Sequence, residues 1–135
     1  MILIICIDDN GGMMFNKRRQ SQDKILIKKI TELALGKKIR INSYSKSLFE
    51  QCTNADIGID DNFLSNAADG EFCFAECGNL EQYRQKIEKL VVFKWNRHYP
   101  ADVYLDIDLS DFILESSVDF EGSSHEKITM EVYKS

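Results

Sequence analysis

Met1–Ile7 is an unbroken apolar run, and it stops at Asp8-Asp9-Asn10-Gly11-Gly12. A run this short, ended by such a turn signal, is a strand rather than a long core helix. Because it has no polar face, both of its faces must be covered. A chain with such a strand is driven toward a layered α/β arrangement, with helices packed on a mainly parallel sheet.

The pattern downstream supports that architecture. After a polar loop at Met13–Gln22, helical spacing runs from about Asp23 to Leu35. Ile27, Ile30 and Ala34 share a face that Leu26 and Leu33 widen, Ser21 is placed to cap the start, and Gly36 to end it. Lys38–Asn42 alternates as a strand, and Ser45–Cys52 suggests a short helix. Ala55–Ile59 and Glu71–Ala75 are short strands, with a further short helix expected in Asp60–Ala67. The clearest helical spacing is Asn79–Lys89, where Leu80, Tyr83 and Ile87 align. Asn79 and Gln82 sit at capping-box distance, and Arg84 and Glu88 one turn apart.

Beyond that point the period is that of strands: Leu90–Trp95, then Ala101–Leu109 and Asp111–Phe120. The turn Glu121–Ser124 leads into Glu126–Tyr133. The expected fold is therefore a single domain over residues 1–135. It has a mixed, mainly parallel eight-stranded sheet, about four helices and a C-terminal antiparallel hairpin.

Composition narrows the function classes. The net charge of −5 and pI near 5.0 argue against a general nucleic-acid binder, which needs a basic face. The one basic cluster is Lys17-Arg18-Arg19, a candidate contact for an anion or a protein partner. No stretch approaches the apolar length of a membrane span, and no basic leader precedes the first strand, so a cytoplasmic location is expected. There Cys6, Cys52, Cys73 and Cys77 stay reduced. Cys73 and Cys77 lack a matching second pair, so no zinc site is expected. Asp102, Asp106, Asp108 and Asp111 fit the wet face of a strand at least as well as a magnesium site, although Asp106 and Asp108 share a face.

The order of elements, together with particular residues, resembles dihydrofolate reductase. Asp9, Asn10, Met13, Met14, Asn16 and then Asp23 follow that family's opening strand and loop. Gly36-Lys37 leads into Ile39–Ile41 in the same way. Phe72–Ala75, Gly78 and Leu80-Glu81-Gln82-Tyr83 are similar to its cofactor-side strand and helix, and Ile128–Tyr133 to its last strand.

The resemblance implies a three-layer α/β fold and a cleft for a pteridine and NADPH. It places the active-site carboxylate on Asp23. It places cofactor contacts on Gly78 and Asn79, and on Ser43, Ser45 and Lys46. Departures from the family pattern fall in those same places. The paired glycines that admit phosphate become Glu76 and Cys77, and the Gly-Arg-x-Thr block becomes Asn42-Ser43-Tyr44-Ser45. The loop Pro-Trp is replaced near Arg19-Gln20, the folate-clamping arginine has no match in Gln51–Ile57, and Val103 stands for a threonine that contacts the pterin.

The implied function is thus a non-catalytic reductase-like domain that binds a small ligand or protein partner and no cofactor. The alternatives are a divergent NADPH-dependent reductase, with Asp23 assisting proton transfer, and a nucleic-acid accessory protein using Lys17–Arg19. The chain also resembles short proteins of Gram-positive bacteria and mobile elements that are sometimes labelled ribonuclease Z. Two isolated histidines, His98 and His125, cannot build that enzyme's two-zinc centre.

Overall fold

The computed structural model describes residues 1–50 and 55–135. Among the described residues there are ten strands: β1 (Ile2–Ile7), β2 (Gly12–Phe15), β3 (Arg18–Arg19), β4 (Ile39–Ile41), β5 (Ile57–Ile59), β6 (Phe72–Phe74), β7 (Lys89–Lys94), β8 (Val103–Tyr104), β9 (Ile113–Phe120) and β10 (Ile128–Lys134). The helices are α1 (Lys24–Leu33), α2 (Lys46–Phe49) and α3 (Phe63–Asn66), with 3₁₀ turns at Ser43–Ser45, Glu81–Lys86 and Leu109–Asp111.

The main sheet has seven strands in the order β5-β4-β6-β1-β7-β10-β9. β1 pairs in parallel with β6 and β7, and β4 does so with β5 and β6. β10 runs antiparallel between β7 and β9, which is the expected C-terminal hairpin.

β1 lies at the centre of this order because every residue in it can be buried. Leu3, Ile5 and Ile7 enter one apolar layer and Ile4 the other. β7 divides in the same way, Leu90 and Val92 against Val91 and Phe93. One layer is closed by α1 and α2 through Leu26, Ile27, Ile30, Leu48 and Phe49. The other is closed by α3 and the residues that flank the Glu81–Lys86 turn, Leu80 and Ile87. The chain moves outward from β1 to β4, then returns through β6 to β7 on the far side of β1. This reversal opens a crevice at the carboxyl ends of β1, β6 and β7, the usual place for a ligand in such sheets.

Several expectations are revised. The sheet has seven strands, not eight. Ala101–Leu109 keeps its alternation as a packing face, with Ile107 buried and Val103, Leu105 and Leu109 against the core. Only Val103–Tyr104 is a strand, however, and it joins β2 and β3 in a separate three-stranded sheet. Asp106 and Asp108 therefore share no strand. The Met13–Gln22 loop is largely the β2–β3 hairpin, turned by Asn16 and Lys17 at positive φ (53° and 62°).

Within Asn79–Lys89 only Glu81–Lys86 is helical, as a 3₁₀ turn rather than an α-helix, Lys89 already opens β7, and Asn79 and Gln82 make no capping box. Asp106 Oδ1 instead accepts from the amides of Leu80 and Glu81. Arg84 turns to Asp111 and the ring of Phe112 rather than to Glu88. Cys52 and the end expected for the second helix lie outside the described residues. The edge strand β9 is exposed along most of its length, Leu114 and Val118 at 49% and 51%, and only Phe120 at its end packs on the core.

Phe74 is buried in the layer under α1 and meets Phe49 edge-on at 5.3 Å between centroids. Replacing it by alanine should cost about 3–5 kcal/mol of unfolding free energy, read from urea denaturation.

Candidate functional site

The crevice is a narrow, partly open cleft whose free volume, about 20 Å³, is room for about one water molecule, so a larger ligand enters only as the wall side chains move. Leu26, Leu48, Phe74 and Trp95 supply apolar walls, and the segment Arg19–Asp23 supplies polar ones.

Asp23 is the N-cap of α1, a place the sequence reading assigned to Ser21. It is 2% exposed and both of its oxygens are fully used. Oδ1 accepts from the amides of Ile25, Leu26 and Ser123 at 2.9, 3.2 and 2.9 Å. Oδ2 accepts from the Ser124 amide at 2.8 Å, the Ser124 hydroxyl at 3.1 Å and His125 Nδ1 at 2.9 Å. Burial alone would push this carboxyl up. Hydrogen bonds from Ser124, Ser123, His125 and Leu26 outweigh it and hold the group well below the ordinary carboxylate range. Asp23 is an anion committed to ordering the turn before β10, with no lone pair left over for a pterin.

His125, 5% exposed, was not singled out as a site residue from sequence. Its Nδ1 meets Asp23, and its Nε2 lies 3.0 Å from Ser21 Oγ and 3.1 Å from the Tyr99 hydroxyl. Its ring stacks on Trp95 with centroids 4.6 Å apart. The residues involved span more than a hundred positions, so local spacing carried no signal of this cluster.

A second buried cluster closes the other wall. Glu76 accepts from Arg19 Nε and a terminal nitrogen at 2.6 and 3.0 Å, and from Ser45 Oγ at 2.7 Å. Tyr44 stacks on the Arg19 guanidinium. Of the basic cluster, then, Arg19 turns inward while Lys17 and Arg18 stay exposed. Ser43 is held by Asp61, and Lys46 is exposed on α2. Gly78 adopts φ +114°, and Gly78 and Asn79 are exposed. The neighbouring amides of Leu80 and Glu81, which an anion would have needed, already serve Asp106. The structure thus brings Arg19, Ser45 and Asp23 to the cleft walls or to clusters behind them, and leaves Ser43, Lys46, Gly78 and Asn79 on the surface.

Asp8, at the end of β1, accepts from the amides of Gly12, Asn10 and Tyr99 and from the Gln20 carboxamide. Gln20 spends its NH₂ on Asp8 and on the Pro100 carbonyl, so its Oε1 is left buried with no hydrogen-bond partner among the described residues. Cys6 lines the same cleft. Its thiol is raised far above the ordinary range, first by burial and then by Glu76, and stays protonated. Among the described residues no group of His, Cys, Asp and Glu could hold a metal ion.

No family model matches the sequence, and no curated protein is similar to it. Among solved structures 234 chains are similar. One is the dihydrofolate reductase from Enterococcus faecalis complexed with NADP(H) and RAB-propyl. It superposes with a TM-score of 0.66 at 12% identity, covering 98% of this chain and 94% of that one. The fold is therefore dihydrofolate reductase-like and strongly divergent in sequence.

A depressed folded-state pKa at Asp23 means its stabilisation is complete above the unfolded value near pH ~4 and is lost as pH falls toward the folded value. Asp23→Asn should lower stability by about 2 kcal/mol at pH 7. The gap to the unmodified chain should narrow as the pH drops below about 4, as measured by denaturant unfolding across pH.

Proposed function

We propose that this chain is a ligand-binding domain on a dihydrofolate reductase scaffold. It takes a small, largely apolar molecule in its cleft and carries out no nicotinamide-dependent reduction. The observation that supports this most directly is the buried Arg19–Glu76–Ser45 cluster. By the family resemblance, Glu76 and Ser45 stand where cofactor phosphates would be received. Here a carboxylate fills that place, already neutralised by the chain's own arginine.

A phosphate arriving there would meet Glu76 and would have to break an ion pair whose carboxylate is nearly dry, leaving it uncompensated. The residues present do not fit NADPH. The Enterococcus enzyme is complexed with NADP(H), and this makes NADPH the first cofactor to test. Asp23 does not suit the reductase reading either, since a proton donor needs a free oxygen.

The ligand's character follows from the walls. Its body meets Leu26, Leu48, Phe74 and Trp95, and it carries an N–H or O–H for the unpaired Gln20 Oε1. The net charge of −5 and the inward turn of Arg19 weigh against nucleic acid as a partner. No helix among the described residues is long and apolar enough to cross a membrane. The free thiols of Cys6, Cys73 and Cys77 suit a reducing compartment, so we infer a cytoplasmic setting.

Thermal unfolding tests the reading. A ligand present at 100 times its Kd adds about 2.7 kcal/mol, several degrees for a chain of this size. Millimolar NADPH, alone or with a micromolar diaminopyrimidine antifolate, should give no shift. Small aromatic amides should instead perturb the Gln20 side-chain amide and the Leu26 methyl resonances. A clear rise in Tm with NADPH would overturn the proposal.

A further inference from the structure

Beside the Arg19–Glu76 pair, the cleft contains an arrangement that ligand binding alone does not require. Ser21 lines the cleft and is half-buried, and its Oγ lies 3.0 Å from His125 Nε2. His125 Nδ1 lies 2.9 Å from Asp23 Oδ2. An ionised carboxylate can only accept, so Nδ1 carries the hydrogen, and in the tautomer with its one hydrogen there Nε2 is left as the acceptor. The Ser21 hydroxyl is then the donor in that pair. Trp95, stacked on the imidazole, and the amides of Ser123 and Ser124, fixed on Asp23, hold the ring and its orienting carboxylate in place. A hydroxyl on a base, with the base on a buried carboxylate, is the constellation that activates serine for acyl transfer on unrelated folds.

We propose that Ser21 is a nucleophile and that the cleft hydrolyses small, uncharged esters, with His125 as general base and acid and Asp23 as its positioning residue. The proposal rests on the reading of the cleft as a small-ligand site and names the class of molecule that it turns over.

The Ser21 oxygen attacks the ester carbonyl carbon as its proton passes to His125 Nε2. The bond from that carbon to the alkoxy oxygen breaks, and Nε2 returns the proton to the departing alcohol. Water then attacks the acyl-Ser21 carbonyl and gives its proton to Nε2. Ser21 leaves with that proton, and the carboxylic acid is released. Gln22 also lines the cleft, and its carboxamide is the donor this proposal assigns to the carbonyl oxygen. The apolar walls at Leu26 and Phe74 accept a short acyl group and disfavour a charged one. Cys6 offers no competing nucleophile because its thiol stays protonated. Tyr99 is the competitor for Nε2, at 3.1 Å. When its hydroxyl holds that nitrogen, Ser21 is idle.

The experiment uses the full chain, with diisopropyl fluorophosphate and p-nitrophenyl acetate as probes. Adducts are located by intact mass and peptide mapping, and folding is checked by circular dichroism. The expected result is one adduct, on Ser21. Ser21→Ala abolishes it, and His125→Gln slows it about 100-fold, the usual scale of a lost general base. Tyr99→Phe should retain or raise the rate, which separates the relay from a purely structural hydrogen-bond cluster.

Because His125 is buried, its replacement could unfold the chain; the Ser21→Ala and Tyr99→Phe pair then decides alone. An adduct on Tyr99, or a rate unchanged by Ser21→Ala, overturns the proposal. If Ser21 takes no adduct while phenyl acetamide still shifts the Gln20 amide resonance, the nucleophile falls and the ligand site stands. If neither probe binds, both fall.

Discussion

A carboxylate taken out of water must have its lone pairs filled, or the fold around it fails. Asp23 meets that requirement by gathering six donors, two from the first turn of α1 and four from Ser123, Ser124 and His125. The start of the first helix is thereby tied to the turn that launches the last strand. Much else is arranged around this tie. It sets where α1 lies on the sheet, where the β9–β10 hairpin meets it, and where the imidazole of His125 is held. Gly122 fits the same scheme, since a side chain there would run into the Asp23 carboxylate.

A second carboxylate at the cleft, Glu76, follows the same logic with a cation as its partner. Glu76 comes off the end of β6 into a nearly dry position, and Arg19 is drawn in from the β2–β3 hairpin to balance it. The hairpin is held by that pairing and by the Tyr44 hydroxyl, which accepts from the Arg19 amide. The anion and the cation thus neutralise each other within the chain. Asp23 and Glu76 both line one cleft, and each is bound to groups distant in sequence.

The architecture was legible where physics is local. A strand apolar throughout must be central, and β1 is. The spacing of Leu26, Ile27 and Ile30 fixed the buried face of α1. Ala101–Leu109 failed as a strand because its alternation serves packing, while its backbone finds no long partner. Residues 79–89 failed as an α-helix because Asp106, far along the chain, caps a tighter turn. Similarity of order gave the fold and pointed to Asp23 and to the region of Glu76. It gave no account of His125, whose partners Ser21, Asp23, Trp95 and Tyr99 meet only in three dimensions. Pairings across such separations leave no mark in one sequence.

Trp95 is the chain's single tryptophan, and it lies flat against His125. An indole fluoresces differently beside an imidazole and beside an imidazolium, and differently again when its apolar surroundings are wetted or filled. The protein therefore carries its own optical reporter at the cleft wall. No other indole dilutes the signal. Any event that moves a proton onto that ring, or a molecule into the space next to it, is written into the emission of the native chain without a label.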